Sequence, residues 1–189
     1  IIDPRLVPKM AALDPSLMTG LPPHITAATG IDALTHAIES FVGRWTTPYS
    51  DGMALSAVGL IFENLPIAYR DGKNLAAREK MSLASTYAGF AFTRANVGYV
   101  HAIAHQFGGR YHTPHGLANA ILLPHVLRFN EPAIGVLIFK TEGDAQSVLD
   151  FDKFIAANQS DWFLREVRHY IKRTLKRVAF GRRIADENI

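Results

Sequence analysis

Residues 101–116, "HAIAHQFGGRYHTPHG", hold four of the eight histidines in the chain. His101 and His105 are four residues apart in a stretch with helical spacing, so their imidazoles leave one face of a helix a turn apart. His115 follows a loop, at the start of the next helical stretch. Gly108, Gly109 and Gly116 let the backbone turn tightly enough to bring His115 back toward His101. Upstream, Asp32 and His36 repeat the four-residue spacing inside "GIDALTHAIESF", beside Ala33, Ala37 and Ile38. A buried carboxylate next to a buried imidazole needs a partner. Taken singly, Asp32 and His36 read as an exposed or mutually hydrogen-bonded pair. Taken together with the second cluster, one carboxylate and three imidazoles form a ligand set for Zn²⁺ or Fe²⁺, with a position left open for a substrate oxygen. His36, His101, His105 and His115 compete for about three places, so not all of them can bind.

These residues have to be carried by helices, and the flanking sequence predicts them. "ITAATGIDALTHAIESFV" has apolar residues at helical spacing and predicts a helix over residues 26–42. After "TTPYSDG", Ser50 or Asp51 is expected to cap a second helix through "MALSAVGLIFENLPIAYR". "RDGKN" is a turn. Further helices are expected over residues 75–93 and 98–107, with "GGRYHTPHG" as a loop between the second of these and the next helix. That next helix is "LANAILLPHVLRFN", which Pro124 is expected to kink or end. The first residues, with Pro4, Pro8 and Pro15, suit a strand and a connector. Past residue 130 the character changes. "AIGVLIF" suits a strand or a buried helix. In "SDWFLREVRHYIKRTLKRVAFGRR", Leu164, Val167, Ile171, Leu175 and Val178 share one face of a helix whose other face is basic. That basic face reads first as a solvated surface and second as a surface for an acidic partner.

The 189 residues are 48% hydrophobic and 20% charged, which suits a globular protein with a real core. A net charge of +3 is too small to imply a nucleic-acid partner. The absence of cysteine excludes disulfides, a thiolate nucleophile and a Cys-based zinc site. A cytoplasmic protein is expected, with no signal peptide and no membrane-spanning run. The opening "IIDPRLVPKM" has no initiator Met and suggests a fragment.

The strings "LDPSLMTGLPPHITAATG", "GIDALTHAIESF" and "GYVHAIAHQFGGRYHTPHGLANAILLPHVLRFN" closely resemble the iron-containing (group III) alcohol dehydrogenases, almost continuously from residue 3 to 130. The resemblance implies a mainly α fold. It would be the helical metal-binding domain of the iron-containing alcohol dehydrogenase and dehydroquinate synthase-like fold, over residues 21–130. Residues 1–20 would be a remnant of an N-terminal α/β nucleotide domain, and 131–189 a divergent C-terminal segment. It also implies that Asp32, His36, His101 and His115 are the metal ligands, for Fe²⁺ or Zn²⁺. His105 would stand beside the metal, near substrate and nicotinamide, without binding the ion. The implied activity is hydride transfer between a small alcohol or aldehyde and NAD(P). A homo-oligomer is expected, because a helical core lacking part of its cover exposes apolar surface that favours self-association. Residues 26–29 lie where such proteins approach the cofactor. The chain departs from the family in having no glycine-rich dinucleotide loop after a strand. An inactive metal-binding remnant and a metal-dependent hydrolase are the alternative readings.

Overall fold

The computed structural model describes residues 4–6 and 8–134, the side chains of 4 and 131–134 excepted. Among them are five α-helices and no strand: α1 (Pro23–Val42), α2 (Pro48–Arg70), α3 (Leu75–Ala95), α4 (Tyr99–Tyr111) and α5 (His115–Ile134). The mainly α expectation holds. Among the described residues near the start there is no strand where one was expected: Pro4–Leu6 and Pro15–Met18 are short 3₁₀ turns, the second capped by the side chain of Asp14. The basic amphipathic segment lies outside the described residues.

Local chemistry sets the helix ends. Pro23 opens α1, where the missing N–H would have had no intrahelical partner. The cap of α2 is Thr47 rather than Ser50 or Asp51. Thr47 and Ser50 form a reciprocal capping box, so Ser50 lies inside the first turn. Asn74 caps α3 by accepting from the Ala77 N–H at 3.0 Å, and Asn96 ends it with a left-handed φ of 62°. Helix α4 runs through Gly108 and Gly109, the first two of the three glycines in the expected loop. It stops at His112, whose φ of 54° supplies the left-handed C-cap usually left to glycine. His112 thus serves as the terminator of α4. Helix α5 continues past Pro124 to Ile134, so that proline neither ends the helix nor marks its boundary.

Helix α1 is the centre of the packing and meets α2, α3 and α5. Ile31 and Leu34 of α1 join Ile61, Phe62 and Leu65 of α2 and Met81 of α3 in one apolar cluster. A second cluster is built almost entirely of alanine: Ala37, Ala54, Ala57, Ala88 and Ala91, closed by Phe41. Small side chains there let the three backbones approach closely. Val100 of α4 packs with Leu123, Val126 and Leu127 of α5, against Ile38 and Val42 of α1. Each fully buried Leu, Ile or Val in these clusters contributes about 1.5–3 kcal/mol. By length and composition α2 is apolar enough to cross a membrane, which the sequence reading did not anticipate. In the fold its Ala54, Ala57, Ile61, Phe62 and Leu65 are buried in the core.

Two polar devices fix α1 against its neighbours. The buried guanidinium of Arg78 on α3 donates to Gly72 O at 2.9 Å, to Thr26 Oγ1 at 2.9 Å and to Leu21 O at 3.3 Å. It therefore ties together the α2–α3 turn, the first turn of α1 and the segment before it. At Gly116, a Cβ would run into the backbone of Ala28, with Ala28 C only 2.6 Å away, so glycine allows α5 to lie directly on α1.

Candidate metal centre

Asp32, His36 and Glu39 stand at positions i, i+4 and i+7 of α1 and so share one face. Helix α4 brings His101 to this face within its first turn, and α5 brings His115 and, one turn later, Asn119. Asp32 Oδ1 lies 3.3 Å from His101 Nε2 and 3.2 Å from His115 Nε2. The ligand atoms of these three residues all fall within 4.8 Å of one another, the one such grouping of metal-ligating side chains among the described residues. His36 is beside this trio. Its Nε2 is 3.6 Å from Asp32 Oδ2, and its ring stacks between Phe92 and His101, with centroids at 4.3 and 4.2 Å. Asn119 Nδ2 donates to Asp32 Oδ1 at 2.6 Å and lies 3.2 and 3.1 Å from the Nε2 atoms of His101 and His115. The exposed ring of His105 stacks on that of His115 at 5.2 Å and meets His101 edge-on at 6.0 Å.

Glu39, on the far side of His101, is 4% exposed. Its Oε2 accepts from His101 Nδ1 at 2.7 Å, and its Oε1 accepts from the Val100 N–H at 2.7 Å. The His101 ring thus lies between two carboxylates, one at each nitrogen. Burial opposes charge on it, yet the hydrogen bonds it donates to Asp32 and Glu39 prevail and raise its pKa to about 9. Burial likewise works against the charge on Asp32. The hydrogen bonds from His101 and His36 outweigh it and hold the carboxyl well below the usual carboxylate range. Glu39 is also lowered, by His101 and by the backbone N–H groups of Gly98 and Val100, against the effect of burial. His115 shifts opposite to His101: burial, aided by the positive field of the neighbouring imidazoles, lowers its pKa despite Asp32.

The donor set fits a divalent transition metal. Tetrahedral Zn²⁺ with arms of about 2.1 Å sets its ligand atoms about 3.4 Å apart, close to the Asp32–His101 and Asp32–His115 separations. With Nδ1–H of His101 donated to Glu39, a neutral His101 presents the Nε2 lone pair toward Asp32. His36 Nδ1 is buried with no hydrogen-bond partner among the described residues, so this ring is not held by hydrogen bonds at both nitrogens. Carboxylate and imidazole donors suit Fe²⁺ as well as Zn²⁺.

The sequence profile of the Fe-containing alcohol dehydrogenase family, C-terminal part, matches residues 26–159. The chain belongs to this family. It is 55% identical over 130 residues to "Alcohol dehydrogenase 4" of Saccharomyces cerevisiae, a match over 69% of this chain and 34% of the relative. It is 53% identical over 130 residues to the 1,3-propanediol dehydrogenase of Citrobacter freundii, again over 69% and 34%. The crystal structure of a 1,3-propanediol oxidoreductase superposes with a TM-score of 0.66 at 43% identity, covering 85% of this chain and 41% of that one. The chain therefore spans about a third of the length of the curated relatives it matches.

Set beside its iron-containing alcohol dehydrogenase relatives, this chain carries its candidate ligands on α1, α4 and the start of α5. Of the residues singled out from sequence, the fold brings Asp32, His101 and His115 onto one point. It leaves His36 next to Asp32, and it puts His105 on the solvent side, against His115. Thr26, within the stretch expected near a cofactor, is buried and accepts from Arg78. Sequence reasoning passed over Glu39, Asn119 and Phe92. Glu39 and Asn119 carried a usable signal, because each lies on a helical period already recognised: Glu39 seven residues after Asp32, and Asn119 four after His115.

Proposed function

We propose that this chain is the metal-binding helical part of an NAD(P)-dependent alcohol dehydrogenase, in which Asp32, His36, His101 and His115 hold Fe²⁺ or Zn²⁺. The convergence of Asp32 Oδ1 with the Nε2 atoms of His101 and His115 is the observation that carries this reading. When bound, the metal would supply Lewis-acid polarisation of the alcohol or carbonyl oxygen, and the nicotinamide would carry the hydride. The chain's own residues do the positioning. Asp32 supplies negative charge at the centre of the set, and Asn119 orients its carboxylate. His105 faces solvent beside His115, where it meets substrate and moves a proton to or from the reacting oxygen. The substrate is a small alcohol or aldehyde, in keeping with the alcohol and propanediol dehydrogenases among the relatives. The protein is cytoplasmic and self-associating in this reading, which the lack of cysteine accommodates.

Metal analysis of the purified chain tests it. About one equivalent of Fe or Zn is expected, lost in His101→Ala and in His115→Ala. Unchanged metal content in both variants overturns the assignment. A fluorescence titration with NADH and NADPH then asks whether this chain holds the nicotinamide by itself; saturable binding of either one rules out a metal-binding helical remnant.

A further inference from the structure

We propose that Glu39 is the positioning residue of this centre: one buried carboxylate that both caps α4 and fixes which nitrogen of His101 faces the metal. The inference rests on the metal-centre reading above. Three observations support it. The N-cap of α4 is Gly98, which has no side chain to offer the first N–H groups of the helix. Glu39, from α1, takes that place across 61 residues of sequence, accepting from Val100 N at 2.7 Å, with His101 N at 3.4 Å from its other oxygen. That other oxygen also accepts from His101 Nδ1 at 2.7 Å. Finally, Gly98 makes room for the carboxylate, because a Cβ there would stand 2.8 Å from Glu39 Oε1.

The consequence for His101 is chemical. A neutral imidazole has one N–H and one lone pair. A carboxylate at Nδ1 can only accept, so the proton stays on Nδ1 and the lone pair on Nε2. A histidine ligand held this way is oriented and made more basic. Glutamine has nearly the same shape but a single acceptor oxygen. If that oxygen keeps the Val100 N–H, the amide N–H₂ faces Nδ1 and favours the opposite tautomer, with a proton on Nε2 where the metal would bind. If the amide turns over, the Val100 N–H faces a donor. Glu39→Gln therefore cannot keep both functions.

The test uses the full 189-residue chain. Cobalt(II) is titrated into metal-free parent, Glu39→Gln and Gly98→Ala, with helix content and melting followed separately. Both variants are expected to retain the helical spectrum and to bind cobalt about 10–100-fold more weakly, with an altered visible spectrum. Nitrogen NMR of the zinc-loaded parent is expected to show His101 protonated at Nδ1 and unprotonated at Nε2. Folded variants with the parent's cobalt affinity and spectrum overturn the inference and leave the metal centre standing. So does a zinc-loaded parent whose His101 carries its proton on Nε2, and this readout stands even if neither variant folds. A parent that binds no cobalt removes the metal-centre reading and the inference with it.

Discussion

Replacing Gly116 by alanine is expected to damage the metal centre without touching any residue in it. The added Cβ would lie 2.6 Å from Ala28 C and 3.0 Å from Ala28 Cα, whereas ordinary contact begins at 3.4 Å. The obstacle is helix backbone and not the end of a flexible side chain, and Ala28 O stands nearer still than its carbonyl carbon, so α5 and α1 have to part by roughly 1 Å. Overpacking of this kind costs about 1–3 kcal/mol of stability. The same displacement moves His115, the preceding residue, away from Asp32, stretching a separation that is now 3.2 Å. A misplacement near 1 Å at a functional centre can cost on the order of 100-fold, so cobalt affinity should fall at least tenfold in the folded variant. Gly109→Ala in α4 is the control, because a Cβ there meets nothing within 4 Å. It should be neutral or stabilising by up to ~1 kcal/mol. Urea unfolding and cobalt titration of the three proteins decide the matter. If Gly116→Ala matches the parent in both, α5 does not rest on α1 as described, and the argument fails.

The metal-free chain should lose stability as pH rises through about 9, the folded pKa of His101. Because that pKa is raised, the contribution is fully present below the ordinary value near 6.5, and its ceiling is ~3 kcal/mol; chemical denaturation between pH 6 and pH 10 with a chelator present reads it, and a flat profile contradicts the carboxylate–imidazole–carboxylate sandwich. Arg78→Met should destabilise the fold by about 2–5 kcal/mol, since it strands the acceptors Gly72 O, Thr26 Oγ1 and Leu21 O. An unfolding midpoint equal to the parent's would refute that.

Most of the candidate centre was legible because helical periodicity alone sets side chains four residues apart on one face. Asp32 with His36, and His101 ahead of His115, needed no tertiary information beyond a turn that brings α5 back. What stayed hidden depends on partners far away in the chain. Glu39 looks like an ordinary helix glutamate until Gly98 and Val100 arrive beside it. Asn119 acquires its function only from the three side chains that surround its amide. The helix ends were misjudged where two rules compete. Glycine propensity argued for ending α4 before Gly108, but the helix runs three residues past it and His112 takes the left-handed cap. Pro124 argued for a break, yet it is fully buried between Leu123 and the next apolar turn of α5, where packing outweighs its missing N–H.

The alliance of α4 with the rest of the molecule has a consequence for how the protein comes apart. Val100, His101 and Ala104 are the only buried residues of this helix. Its main neighbour is α5, and it meets α1 through Val100 against Ile38 and Val42, the His36–His101 stack, and the carboxylates of Asp32 and Glu39. Apolar clusters hold α1, α2 and α3 together, so among the described helices α4 is expected to open from α1 before these three separate. A ligand that bridged Asp32 to His101 and His115 would join the loosest helix to the tightest. Its release would then be heard first in the backbone exchange of α4, well before the three-helix core gives way.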